Sequence, residues 1–288
     1  MPQSFAGYCK KSQSGSQVGA RTGTFCDEIT RKESDLRIVR YSNGGQPSWG
    51  VLEDREVKSA EGRPFVDLVA GEGVGSVDDV QLLAPVVPTK VMCVGRNYRE
   101  HAAELGNPVP DEPLLFLKPP SAIVGPGHDV IYPKLSGRVD HEAELVLVIG
   151  RTAERVSSAD AMSMVGGYTC GNDVTARDIQ KSDGQWTRGK GFHTFCPLGP
   201  WVETDYDPSD VRVSCTVNGN VRQDGQTRDM IFDIPFLIEY ITRFTRLEVG
   251  DVIMTGTPEG VGPVKVGDTM SVEVEGLGTL SNTVVAEG

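Results

Sequence analysis

Asp140-His141-Glu142-Ala143-Glu144-Leu145-Val146-Leu147-Val148-Ile149-Gly150 sets two carboxylates, one residue apart, at the start of an uninterrupted apolar run. A short continuous run of Leu, Val and Ile closed by glycine is the pattern of a buried strand, expected here over Glu144–Ile149. Side chains alternate faces along a strand, so residues 142 and 144 point the same way. Burying two like charges side by side is costly unless something positive neutralises them. A hard divalent cation that prefers oxygen ligands does so. Taken alone, E-x-E equally describes an exposed acidic strand end.

A second acidic site lies downstream. Gly171-Asn172-Asp173-Val174-Thr175-Ala176-Arg177-Asp178-Ile179-Gln180 follows an expected strand, Val165–Cys170, and Asp173 at its end is the natural third ligand. Three carboxylates against a doubly charged ion leave about one surplus negative charge, so an anionic substrate demands nearby cations. Arg177 and Lys190 are the candidates, although a lone arginine is commonly a surface ion-pair partner and Lys190, between glycines, also suits a solvated turn. A third segment, Cys93 to Glu104, carries His101 and Glu104 three apart in a helical run, where they share a face. A carboxylate beside an imidazole fixes its tautomer and raises its basicity, which makes a candidate acid/base dyad; an exposed helical pair is the alternative.

Around these segments the chain reads as mostly strand. Leu36–Tyr41, Trp49–Glu53 and Pro64–Val69 are expected as short strands of a small β-rich unit, 36–88, with Pro85 and Pro88 bracketing the connector to a larger domain, 89–288. Val211–Val217 and Val221–Gln223 flank Asn218-Gly219, the preferred sequence of a tight type I′ hairpin. Val266 through Val274 reads as further hairpin sequence. One helix is expected from Asp233, with Pro235 in its first turn and Ile234, Leu237, Ile238 and Ile241 as its core stripe. Residues 1–35 read as a tail or added arm.

Composition excludes several classes. The 288 residues carry 28 Lys plus Arg against 40 Asp plus Glu, a formal charge of −12 that repels a phosphate backbone, so no nucleic-acid partner is expected. No stretch approaches the roughly 18 apolar residues needed to span a bilayer, and the opening segment lacks the apolar run of a signal peptide. The six cysteines show no C-x-x-C pair and read as reduced thiols, so a cytoplasmic protein is expected. Gly256-Thr257-Pro258-Glu259-Gly260-Val261-Gly262 lacks both G-x-G-x-x-G and G-K-[ST], and no G-x-S-x-G elbow is present.

Taken in order, G-R-N-Y-x-x-H-x-x-E, E-x-E-L-x-x-V-I-G, N-D-V-x-A-R-D-x-Q, Q-W-x-R-G-K-x-F-x-T-F-C-P-L-G-P-W, N-G-x-x-R-Q-D-G and G-D-V-I-x-T-G-T-P-x-G-V-G make the chain resemble the fumarylacetoacetate hydrolase family from about Lys90 onward. The resemblance implies an α+β, β-rich fold with a mixed β-roll or sandwich in the catalytic domain, pairing as a homodimer, and a Mg²⁺ or Mn²⁺ ion on Glu142, Glu144 and Asp173. It places Arg177, Gln180 and Lys190 on substrate and oxyanion contacts, His101 and Glu104 on a lid dyad, and Thr257 against the substrate; Arg96 and Tyr98 are read as further substrate contacts. His193 departs from relatives that carry Asp or Ser there, either in the pocket or on the surface. The substrate is expected to be a small oxo acid. Oxaloacetate decarboxylation to pyruvate ranks first, then acylpyruvate hydrolysis, then isomerisation of a hydroxyheptadienedioate, with a catalytically silent metal-binding protein as the contrasting class.

Overall fold

The computed structural model describes residues 36–104 and 106–288; the expected tail or arm, 1–35, lies outside the described residues. The N-terminal part contributes β1 (Arg37–Ser42), β2 (Ser48–Glu53), β3 (Glu56–Glu61), β4 (Val69–Ser76) and β5 (Gln81–Leu83). After the proline connector come β6 (Val91–Gly95), α1 (Arg99–Glu104), β7 (Leu114–Lys118), β8 (Ile123–Val124), β9 (Val130–Tyr132), β10 (Val139–His141) and β11 (Ala143–Ile149). Next are α2 (Ser158–Ala161), β12 (Val165–Asn172), β13 (Thr175–Ala176), α3 (Arg177–Asp183), α4 (Thr187–Lys190) and β14 (Cys196–Glu203). The chain ends with β15 (Arg212–Val217), β16 (Asn220–Gln226), α5 (Ile234–Thr242), β17 (Val252–Met254), β18 (Gly262–Val264), β19 (Thr269–Val274) and β20 (Gly278–Ala286).

The strands form three sheets. A 12-stranded sheet runs β4-β3-β2-β1-β14-β12-β11-β17-β6-β7, with β5 on β1 and β8 on β14; a five-stranded sheet runs β16-β15-β19-β20-β9; a three-stranded one runs β13-β10-β18. Most ladders are antiparallel, but β17–β6, β14–β8 and β20–β9 are parallel, so the architecture is β-rich and mixed. Strands β1 to β4 of the N-terminal unit continue the sheet of the larger one, because β1 pairs with β14 at Ile38↔Val202.

Strand β11 explains its own composition. Leu145, Leu147 and Ile149 pack with Val213, Cys215 and Val272 of the five-stranded sheet and with Leu237, Ile238 and Ile241 of α5. Val146 and Val148, on the other face, pack with Val91, Cys93, Leu198 and Met254. A strand covered on both sides needs a continuous apolar run. Helix α5 begins as expected: the Asp233 carboxylate accepts from Phe236 N at 2.9 Å, with Pro235 in the first turn. Asn218 and Gly219, at φ 51° and 75°, close the β15–β16 hairpin as a primed turn requires.

One strand expectation fails. Pro64–Val69 is a turn with a strand beginning only at its last residue; Val66 N and Asp67 N both donate to Arg63 O, and the Arg63 guanidinium grips the Asp67 carboxylate at 2.8 Å. The strands of this region lie on either side, in Glu56–Glu61 and Val69–Ser76, whose polar and glycine-rich sequences carry little apolar alternation. No helix among the described residues is long and apolar enough to cross a membrane.

Candidate active site and metal centre

The chain changes sheets at Glu142. Strand β10 ends at His141 in the three-stranded sheet and β11 starts at Ala143 in the large one, so Glu142 occupies the joint between them. The backbone there is locked to the end of β12: Asn172 Oδ1 accepts from Glu142 N at 2.9 Å, and Asp173 N donates to Glu142 O at 2.8 Å. Glu144 sits opposite Gly171 in the β11–β12 ladder, and its Oε2 accepts from Gly256 N at 2.8 Å. Gly256 adopts φ +99°, and a Cβ there would stand 2.7 Å from Asn97 Cβ, so the turn that offers this N–H needs glycine. The result is three buried carboxylates, Glu142, Glu144 and Asp173, whose oxygens lie within 4.8 Å of one another.

Cations surround two of the three. Lys190 Nζ donates to Glu142 Oε2 at 2.7 Å and to Asp173 Oδ2; Lys118 Nζ donates to Asp173 Oδ1. Arg177 donates to Glu142 Oε1, to Asp140 Oδ2 at 2.9 Å and to Gln180 Oε1 at 2.7 Å. Burial acts to raise the Glu142 carboxyl, but Lys190 and Arg177 outweigh it and hold the group well below the usual carboxylate range. Burial opposes the charge on Lys190 as well, yet Asp173 and Glu142 keep its ammonium above its ordinary value. Glu144 is different. Burial, then the like charges of Asp173 and Glu142, push its carboxyl well above the ordinary range, and it has no ion-pair partner among the described residues. A buried set of three hard-oxygen carboxylates, one of them with no cation partner among the described residues, fits a divalent metal ion, which Glu142, Glu144 and Asp173 would hold.

These groups floor a cavity of about 260 Å³ whose walls include Arg96, His101, Arg177, Gln180, Trp186 and Thr257. His101, 4% exposed, is held below the usual imidazole range by burial, with Glu142 opposing and the Arg177 and Lys190 charges reinforcing the shift. Its Nδ1 stands 3.6 Å from Glu104 Oε2, beyond hydrogen-bond distance, and has no hydrogen-bond partner among the described residues; that oxygen instead accepts from Gly260 N at 3.1 Å. The two dyad candidates are thus adjacent but not bonded.

Of the other candidates read from the sequence, Arg96, Gln180, Lys190 and Thr257 line the cavity. Tyr98 does not: its ring is buried and its hydroxyl has no hydrogen-bond partner among the described residues. His193 is on the surface, its Nδ1 3.1 Å from Ser121 O, because the chain turns outward after Lys190. Arg177 and Lys190 are in place but are engaged by carboxylates of the floor rather than aimed free at a ligand.

Three functional groups escaped the sequence reading. Lys118 closes an apolar strand immediately before Pro119-Pro120 and was the one charged group in that run, a signal available but silent about its partner. Trp186 was quoted only inside a motif, and Gln223, in Arg222-Gln223-Asp224-Gly225, reaches four partners on three segments.

Residues 90–285 match the family model described as fumarylacetoacetate (FAA) hydrolase C-terminal, and residues 36–85 match the Rv2993c-like N-terminal model. Protein Rv2993c of Mycobacterium tuberculosis is 51% identical over 213 residues, which cover 73% of this chain and 80% of the relative. The human oxaloacetate tautomerase FAHD2A, mitochondrial, is 46% identical over 220 residues, covering 72% of this chain and 70% of its own. The crystal structure of 2-hydroxyhepta-2,4-diene-1,7-dioate isomerase from Mycobacterium marinum aligns with a TM-score of 0.82 at 43% identity, over 88% of this chain and 99% of that one. With the family model covering most of its length, this chain belongs to the fumarylacetoacetate hydrolase family of enzymes.

Proposed function

We propose that the enzyme moves a proton between C3 and the 2-oxo oxygen of a small 2-oxo dicarboxylate, with oxaloacetate as the first substrate to try. The observation that carries this reading is a buried imidazole on the wall of the same cavity as the carboxylate triad, its proton affinity lowered by burial. A neutral base beside the reacting carbon is what proton abstraction needs. Decarboxylation, ranked first from sequence, requires charge stabilisation on the oxygen but no base to start it. The names of two relatives, a tautomerase and an isomerase, support the same ordering.

In this reading the divalent ion, Mg²⁺ or Mn²⁺, supplies Lewis-acid charge to the 1-carboxylate and 2-oxo oxygen when bound. His101 takes the C3 proton and returns it to the 2-oxo oxygen, regenerating the neutral ring, and Glu104 orients that ring once the 3.6 Å gap closes. Lys190 and Arg177 hold the floor carboxylates ionised and add fixed positive charge where oxygen charge develops. Thr257 orients the bound acid from the wall. A homodimer and a cytoplasmic location belong to the same reading and are checked by sedimentation and by fractionation.

The test follows enol absorbance and pyruvate separately after oxaloacetate is added with Mn²⁺. Enol decay faster than a metal-matched blank, without matching pyruvate, is the expected result. Pyruvate released at the same accelerated rate turns the reading to decarboxylation. Rapid cleavage of acetylpyruvate with neither oxaloacetate effect turns it to hydrolysis.

A further inference from the structure

We propose that Arg96 and Lys181 form a second anion subsite at the mouth of the cavity, and that it takes the distal carboxylate of a dicarboxylic substrate. This rests on the reading above that the triad end holds the near carboxylate, and it names what recognises the other end.

The floor has no cation to spare. Each cation of the floor, Lys118, Arg138, Arg177 and Lys190, is already paired with one or two of the carboxylates Asp140, Glu142 and Asp173. Arg177 and Lys190 are drawn on to the floor by these pairs and cannot reach outward for a second carboxylate without unpairing a buried acid, which is costly.

Arg96 and Lys181 also line the cavity, and neither has a carboxylate partner among the described residues. Arg96 is held in place rather than left to wander. Its backbone takes φ +57°, unusual for a residue with a side chain. The neighbouring Asn97 is fixed by bonds to Phe232 and to Thr255 O. Its guanidinium lies over the Trp186 ring, 5.8 Å from the centroid, and Trp186 is itself wedged edge-on against Phe116 at 5.2 Å. Gly95 makes room for that ring, since a Cβ there would stand 2.6 Å from Trp186. Lys181 comes from α3, one residue after Gln180 and four after Arg177, so a single short helix furnishes both the floor and the mouth. Two cations lacking a counter-ion among the described residues, above a floor whose own cations are all paired, are a site for a ligand carboxylate.

The test is calorimetric binding to the Mn²⁺-loaded full chain, with oxalate as a probe of the floor alone and N-oxalylglycine as a probe that also presents a distal carboxylate. Arg96→Gln with Lys181→Met is expected to weaken N-oxalylglycine about tenfold or more while oxalate stays within about twofold, with Arg96→Lys retaining most of the affinity. Unchanged N-oxalylglycine affinity overturns the subsite, and so does equal weakening of both probes, which would make the residues scaffolding. Wild-type protein that binds neither probe overturns the triad reading and this one with it. Binding of both, unaltered in the variants, overturns only the subsite.

Discussion

Glu142 and Asp173 are tied to each other through the backbone and through Lys190, whereas His101 and Glu104, on a six-residue helix at the rim, stand 3.6 Å apart with the histidine Nδ1 unpartnered. Every floor carboxylate is buried; Glu104 is 33% exposed on its side chain and bonded to a backbone N–H across the mouth. The difference separates two tasks. Binding a hard cation rewards a rigid oxygen set formed in advance. Proton transfer rewards a base that meets its orienting carboxylate only once substrate is enclosed and water excluded.

The contrast breaks most visibly at the floor, where the three carboxylates are not equivalent. Glu144→Gln removes the acid that has no cation partner, so it should abolish saturable Mn²⁺ binding and turnover while leaving the chelated protein at least as stable as wild type. Asp173→Asn strips a partner from both Lys118 and Lys190 and should destabilise the chelated protein by about 3–5 kcal/mol. The pH dependence has a definite sign. Because Glu144 is raised in the folded state, the chelated wild type loses stability as pH climbs from the unfolded carboxyl value through the folded one, and Glu144→Gln does not. Thermal unfolding in chelator across pH reads both, and a Glu144→Gln protein that melts lower than wild type at every pH would contradict the asymmetry.

At the rim the expected effect is smaller and purely kinetic. His101→Ala and Glu104→Gln should each lower turnover by about 10²-fold while Mn²⁺ affinity stays nearly intact. Since burial depresses the imidazole, the acidic limb of the wild-type pH–rate profile should fall below the ordinary histidine value of 6.5. An acidic limb at or above that value, or unchanged turnover in both variants, would leave the pair without a catalytic role.

The same division explains what was legible in the sequence. Strand β11 could be read because burial on both faces forces an apolar run, and α5 because its stripe repeats at helical spacing under an Asp233 cap. Strands β3 and β4 could not, since Glu56–Glu61 and Val69–Ser76 lie at the margin of the sheet and bury little. Acids of the floor could be found by residue type and spacing. Their counter-ions could not: Lys118 meets Asp173 across 55 positions, a pairing that only the tertiary fold creates. Tyr98 was misplaced because a motif names a residue without saying which side of the wall its ring occupies.

The finest test of the floor-and-rim division lies behind the wall, at Gln223. Its amide orientation is fixed by its neighbours: Oε1 accepts from Ala143 N at 2.9 Å, and Nε2 donates to Pro258 O at 2.9 Å, so the group cannot be flipped. His141 Nδ1, 3.0 Å from the same Oε1, must then carry its proton. Nε2 also donates to Thr257 Oγ1 at 2.7 Å, and that hydroxyl donates onward to Ala143 O at 2.7 Å. The proton of the Thr257 hydroxyl is therefore already committed, and its position is coupled to the residue between the two glutamates. Gln223→Met removes this coupling without touching a carboxylate. It should cost about 1–3 kcal/mol of stability from stranded buried groups and raise KM for oxaloacetate about tenfold, because small misplacements of a wall residue are felt in binding and orientation. Mn²⁺ affinity should change little, and Thr257→Ser, which keeps the hydroxyl, should behave nearly as wild type. A lower melting temperature with KM and kcat both unmoved would reduce Gln223 to a strut of the β15–β16 hairpin and sever the wall from the floor.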